Sequence, residues 1–387
     1  MELNLPKYVK DSLITIENAG FEAWCVGGAV RDLIMGLTPS DYDITTNAEP
    51  EVIMSIFPKT VATGIKHGTV TVVTDNGNIE VTTYRTEGQY TDHRSPDNVD
   101  FVKNVDEDVK RRDFTVNAIL YNTKKGFYDS QNGVLDIENK ILRCIGQPQE
   151  RFLEDALRIL RLFRFSAQLG FEIEKDTLDN ALKLSYLLEN ISVERIFTEF
   201  KRALTSKSPE ALNPLLKCGA LSFLGLNTNE MPDIIEYLTN DFSLRFLVFC
   251  HKNNYNALNI LKKLKADNQT IENVKNYTEL LNFPTPKSKA DIKRMLNLSS
   301  VEHLKNIFDY YAISNIKTNV LHQLLNEIIE NNEPYLIKDL AINGNDLIKL
   351  GYSGQKIGEI LEKLLDAVID NPQYNTKEKL VNLIQIK

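Results

Sequence analysis

Apolar residues along this chain follow two different periods. Over the first third they fall in short runs separated by turn residues; beyond about Gln149 they recur at helical spacing to the end. The first pattern predicts a helix over 7–19 closed by Gly20, strands over Ala23–Val26 and 43–46, and between them a short helix over 29–35 ending at Gly36. Thr69–Thr74 and 79–84 are rich in β-branched residues, and Asp75-Asn76-Gly77-Asn78 between them is a hairpin signal. Such alternation predicts a small mixed sheet with helices on one side. In the remainder Leu, Ile, Lys and Glu dominate, punctuated by Pro209, Pro214, Pro232 and Pro284-Thr285-Pro286. The expected fold class is α+β: a mixed-sheet head over 1–145, then a helical neck over 146–206, a helical body over 207–335 and a helical tail over 336–387.

Composition narrows the class only slightly. A chain of 387 residues has room for more than one core. Its 42% hydrophobic and 25% charged residues are ordinary globular values. The first residues are polar and no apolar stretch is long enough to span a bilayer, so a cytoplasmic protein with no membrane partner and no obligate protein partner is expected. Cys25, Cys144, Cys218 and Cys250 are widely scattered and read as buried free thiols in a reducing compartment. The five histidines form no zinc pattern. A net charge of −8 argues mildly against a nucleic-acid partner, yet a local positive groove can bind phosphates on an acidic protein.

The chemistry is concentrated in Gly27-Gly28-Ala29-Val30-Arg31-Asp32 and the nearby Asp41-Tyr42-Asp43. A glycine pair lets backbone N–H groups approach a phosphate, and Arg31, one turn on from Gly28, can grip the same anion. Carboxylates at i and i+2 on a strand share a face, so Asp41 and Asp43 can share divalent metal ions. The plainer alternative is a turn acid and a capping acid after Pro39-Ser40. Further on, Arg111-Arg112-Asp113 precedes an apolar Phe-Thr-Val run and could be only a surface charge cluster. Asp155 and Arg158, read as i and i+3 on one helix, could be an ordinary ion pair, with Arg161 and Arg164 extending the stripe and Leu153, Ala156, Leu157 and Leu160 turned to a core.

Residues 24–48 resemble the first motif of the polymerase-beta-type nucleotidyltransferases. Arg111-Arg112-Asp113-Phe114-Thr115-Val116-Asn117-Ala118 resembles the second motif of one branch, the class II tRNA nucleotidyltransferases and bacterial poly(A) polymerases. Arg151-Phe152-Leu153-Glu154-Asp155-Ala156-Leu157-Arg158-Ile159-Leu160-Arg161 resembles that branch's nucleotide-selecting motif. The resemblance implies Mg²⁺ on Asp41 and Asp43, a third acid at Glu80 (otherwise a solvated strand residue), and triphosphate contacts from Gly28 and Arg31. It further implies a nucleotide contact from Arg112 and ribose reading by Asp113 and Asn117; Arg161 and Arg164, continuing the stripe at i+3 steps, could reach the phosphates.

Asp155 and Arg158 then acquire a sharper role. Cytosine and adenine each present an exocyclic amine beside a bare ring nitrogen; a carboxylate accepts from the first and a guanidinium donates to the second. Uracil and guanine present the reverse pattern. One acid and one arginine can thus select CTP and ATP without a nucleic-acid template. The segment 87–96, polar with Gly88 and Pro96, resembles the flexible loop of enzymes that add all of C, C and A, whereas 191–196 reads as structural support for the neck. The implied activity is Mg²⁺-dependent CCA addition to tRNA, recognised by the shape and backbone of its acceptor arm. Poly(A) synthesis, CC-only or A-only addition, an inactive RNA-binding scaffold and transfer to a small molecule are the alternatives.

Overall fold

The computed structural model describes residues 2–88, 99–227 and 230–385, which pack as two compact units, Met1–Met231 and Pro232–Lys387. In the first unit α1 (Lys7–Asn18) leads to β1 (Ala23–Val26), α2 (Gly28–Ile34), β2 (Tyr42–Thr46) and α3 (Pro50–Ile56). Then follow β3 (Thr60–Gly64), β4 (Thr69–Thr74), β5 (Gly77–Thr83), β6 (Arg85–Glu87), β7 (Val99–Phe101) and α4 (Val105–Lys110). β8 (Leu120–Asn122), β9 (Gly126–Tyr128) and α5 (Gly133–Glu138) close the head. β6 and β7 pair with each other, and the other strands form a seven-stranded mixed sheet in the order β3-β4-β5-β2-β1-β8-β9, in which β2 and β5 run parallel and the other neighbours antiparallel.

The local reasons are visible in sequence. β1 is a wholly buried Ala-Trp-Cys-Val run, as a central strand requires. The hairpin between β4 and β5 turns at Asp75-Asn76, and Gly77 follows with a positive φ of 151°. The expectation of helices on one side needs a correction. Tyr8 of α1 meets Tyr42 edge-on, on the face away from Asp43. On the opposite face Val109 of α4 packs with Trp24, Val26 and Leu120. α4 therefore covers part of the second face and stops short of β2's N-terminal end. Of the segment 87–96, Glu87 and Gly88 are described, and 89–96 lie outside the described residues.

Beyond the head, α6 (Pro148–Glu154) is followed by α7 (Leu157–Leu169), α8 (Lys175–Lys183) and α9 (Val193–Leu204). α7 packs on α9, and Ile159, Leu160, Leu162 and Phe163 are fully buried. Leu153, expected in the core, is 36% exposed. Cys218 is also exposed, whereas Cys25, Cys144 and Cys250 are buried thiols as anticipated.

The second unit is helical throughout its described residues. Six of its helices begin behind side-chain caps, at Asp241, Asn256, Asp267, Ser288, Ser300 and Asn343, the residue types that satisfy first-turn N–H groups. A core of Ile342, Leu347, Leu364, Leu365, Val368 and Leu380 closes its C-terminal part. Among the described residues no helix is long and apolar enough to cross a membrane.

Candidate active site

The acidic centre is set by the parallel register of β2 and β5, in which Asp43 lies directly opposite Glu80. Paired residues share a face, so both carboxylates project to the side that α4 leaves open. Asp41, two residues before Asp43, is exposed just ahead of β2. Burial pushes the Asp43 carboxyl up to about 6, the charges of Glu80 and Asp41 add to the rise, and that of Arg112 opposes it. Gly27, at φ 77°, borders the acid: a side-chain carbon there would lie 3.9 Å from Asp43 Oδ2. The backbone at Gly27-Gly28 is thus bare where the acids converge.

Arg31 is 8% exposed and built into the wall of this site. Its Nε and Nη2 donate to Asp32 Oδ1 at 2.9 and 2.7 Å, and its Nη1 donates to Asn117 Oδ1 at 2.6 Å. Asn117 Nδ2 in turn donates to Asp113 Oδ1 at 3.2 Å, and Asp113 Oδ2 accepts from Arg161 Nε and Nη2 at 3.0 and 2.6 Å. One polar chain therefore ties the glycine turn, the second motif and α7 together. Burial alone would raise the Asp113 carboxyl; the charge and hydrogen bonds of Arg161, with Arg158 and Asn117, hold it down at about 2. Arg112 acts on Asp43 through its charge, and its Nη2 donates to Asp108 Oδ2 at 2.9 Å.

The segment expected to select the nucleotide is arranged differently from its sequence pattern. Asp155 and Arg158 do not share a helix: α6 ends at Glu154, Asp155 is extended at φ −129°, ψ 102°, and α7 starts at Leu157. Their backbones are joined by the Arg158 N–H, which donates to the Asp155 carbonyl at 3.0 Å. Asp155 Oδ1 accepts from Leu157 N at 3.0 Å, and its Oδ2 accepts from Arg195 Nη2 at 2.9 Å. Arg158, 7% exposed, donates through Nη1 to Glu154 Oε2 at 2.7 Å and through Nη2 to the Arg111 carbonyl at 3.0 Å.

The arginine stripe is also divided. Arg161 reaches Asp113, but Arg164 is 5% exposed, with Nε 2.5 Å from Glu199 Oε2 and its guanidinium 3.7 Å from the Phe165 ring centre. Its guanidinium is thus enclosed between Glu199 of α9 and the Phe165 ring. Sequence reasoning overlooked Asp108, Glu154, Arg195 and Glu199. Asp108 and Glu154 stand three or four residues before arginines they pair with, a helical-pair signal that was readable. Arg195 and Glu199 lie on α9, forty residues from Asp155 and thirty-five from Arg164, and no local signal joins them.

Comparison with known proteins settles the family. A CCA-adding enzyme of Staphylococcus epidermidis is 37% identical over 390 residues, spanning 97% of this chain and 96% of the relative. The chain belongs to the CCA-adding enzyme family. A CCA-adding enzyme of Listeria monocytogenes is 38% identical over 394 residues, spanning 96% of this chain and 94% of the relative. The crystal structure of the Bacillus stearothermophilus CCA-adding enzyme in complex with CTP superposes with a TM-score of 0.87 at 30% identity, covering 99% of this chain and 98% of that one. Family models described as the poly A polymerase head domain, the probable RNA and SrmB-binding site of polymerase A, and tRNA nucleotidyltransferase domain 2 match residues 23–143, 170–229 and 240–384.

CCA-adding enzymes are nucleotidyltransferases, and enzymes of this kind use a divalent metal. The residues present fit one. Among the described residues no three His, Cys, Asp or Glu side chains form a ready-made cage. A hard cation held by one or two carboxylates and completed by substrate phosphates needs no such cage. The Asp43 carboxyl, raised first by burial and then by the charges of Glu80 and Asp41, is one that such a cation would hold ionised.

Proposed function

We propose that this chain adds C, C and A in turn to the 3′ end of tRNA, drawing on CTP and ATP and releasing pyrophosphate. The observation that carries the reading is the meeting of Asp43 and Glu80 across the β2–β5 register beside the bare Gly27-Gly28 backbone. That it occurs in a chain matched end to end by CCA-adding enzymes supports the full activity. The RNA 3′-oxygen attacks the α-phosphorus, the bond from that phosphorus to the bridging oxygen of the β-phosphate breaks, and pyrophosphate leaves. Asp41 and Asp43, with Glu80 opposite, would hold Mg²⁺. Bound there, the metal supplies positive charge to the reacting phosphate and acidifies the attacking hydroxyl.

The chain's own residues orient the substrates. Gly27 and Gly28 let the triphosphate lie against the backbone. Three of the five N–H groups of Arg31 are taken by Asp32 and Asn117, which aims the remainder, and Arg112 adds charge beside Asp43. Asp155 and Arg158 read the amine and ring nitrogen of cytosine or adenine, steadied by Arg195 and Glu154. Arg161 joins this wall through Asp113, and Arg164 braces the neck from within. In this reading the head over 1–145 performs the chemistry and the neck over 146–206 selects the base. The body over 207–335 and tail over 336–387 receive tRNA by shape and backbone in the cytoplasm.

The test uses a tRNA transcript lacking its CCA end, incubated with Mg²⁺ and CTP, ATP or both, with the products sequenced. C, C and A added once each is the expected result. A long A tail assigns poly(A) synthesis, a stop after two C residues assigns partial addition, and no incorporation assigns an RNA-binding scaffold.

A further inference from the structure

Asp108 has no exposed surface, yet four donors converge on its carboxylate. Oδ1 accepts from Arg111 Nε and Nη2 at 2.9 and 2.6 Å, and Oδ2 accepts from Arg112 Nη2 at 2.9 Å and Thr45 Oγ1 at 3.2 Å. Thr45 is two residues from Asp43 on β2, so it projects from the same face as the acids. On the other side the Arg111 carbonyl accepts from Arg158 Nη2 at 3.0 Å. A continuous polar path therefore runs from the acid-bearing strand through Thr45, Asp108 and Arg111 to the arginine proposed to read the base. Two adjacent guanidinium groups repel each other, and one buried carboxylate accepting from both fixes their separation and direction.

We infer that Asp108 is a positioning residue for nucleotide selection, holding Arg111 and Arg112 against β2 through Thr45 and so setting where Arg158 stands relative to the acid pair. The inference rests on the functional reading above. It assigns Asp108 no contact with substrate. A counter-ion that served folding alone would leave the kinetics of the folded protein unchanged; a positioning residue changes them.

The experiment measures kcat and KM for CTP, and the preference for CTP over UTP, on the CCA-less tRNA transcript. It compares wild type, Asp108→Asn and Thr45→Val, each assayed well below its own melting temperature. Asp108→Asn keeps the shape but turns an amide toward guanidinium groups; kcat/KM for CTP should fall roughly tenfold or more and the preference for CTP over UTP should narrow. Thr45→Val is isosteric and leaves no buried charge unpaired, so it should move both quantities in the same direction by about threefold. Should Asp108→Asn not fold, Thr45→Val decides. Folded variants that lose only melting temperature, with kcat, KM and base preference at wild-type values, overturn this proposal alone. Failure of the wild type to incorporate CTP overturns the functional reading and this proposal together.

Discussion

The Asp155 carboxylate accepts a 2.9 Å hydrogen bond from Arg195, a residue of α9, while its backbone carbonyl takes the N–H of Arg158 three positions along its own segment at 3.0 Å. Asp155 is extended at the break between α6 and α7; the Leu157 N–H holds its Oδ1, and Arg195 supplies the constraint on Oδ2. Arg195→Gln should therefore leave the fold intact but let the carboxylate swing. We expect kcat/KM for CTP to fall roughly tenfold, near the strength of one charge-assisted hydrogen bond, with a narrower preference over UTP. Single-nucleotide incorporation with each triphosphate checks this; an unchanged preference would show that Arg195 serves packing only.

The raised carboxyl of Asp43 has a calculable effect on stability. An unfolded aspartate titrates near 3.9 and the folded one at about 6, so between these values the folded state binds the extra proton. Stability of the metal-free protein should fall as pH rises from about 4 to about 6 and stay lower above, by an amount on the order of 3 kcal/mol. Asp43→Asn removes the penalty: its melting temperature in chelator at about pH 8 should exceed that of the wild type, while incorporation is abolished. Added Mg²⁺ should raise the wild-type melting temperature more at about pH 8 than at about pH 5. Thermal melts with and without chelator measure both effects, and a variant that melts no higher than wild type contradicts the electrostatic account.

Asp113 behaves in the opposite sense. Held down at about 2 in the folded state, it contributes stability that is fully present above the unfolded value near 3.9 and is lost as pH falls through about 2. Asp113→Asn should cost about 2 kcal/mol at neutral pH and flatten the acid limb of the stability curve. Urea unfolding of both proteins across the acid range reads the difference; parallel curves would remove Asp113 from the set of stabilising acids.

Sequence pattern carried the head well because its signals are local. β1 and β4 fall where apolar runs place them, and Gly20 and Gly36 adopt the positive φ expected of residues closing helices. The acids at Asp41 and Asp43 were readable from their i, i+2 spacing, and the candidate at Glu80 acquired its place opposite Asp43 through strand register. The selecting segment was not readable in the same way. A helical period runs unbroken through Asp155, but the chain turns there, with Asp155 bonded to the Leu157 N–H and to Arg195. Tertiary pairing overrode propensity at that point, and the same holds for Arg164, whose burial against Glu199 depends on how α7 meets α9.

Gly133 offers a test of the turn beneath the site. A side-chain carbon there would lie 2.3 Å from the Thr115 carbonyl oxygen and 2.7 Å from Ile119 Cγ1, so α5 can dock only with glycine at this position. The docking is reinforced by Asp129, which accepts from Gly133 N and Val134 N at 2.7 and 2.9 Å, and by Thr115 Oγ1 donating to Asp136 at 2.6 Å. The neighbour that an added methyl would push is the turn Thr115–Asn117, and Asn117 is the residue that holds Arg31. Gly133→Ala should therefore destabilise by about 1–3 kcal/mol through overpacking against backbone, which cannot rotate away. Displacing Asn117 should also raise KM for CTP and ATP alike, because Arg31 is proposed to hold the triphosphate that both share. Chemical unfolding gives the first quantity and steady-state incorporation the second; loss of stability with unaltered KM would mean that Asn117 does not transmit the shift to Arg31.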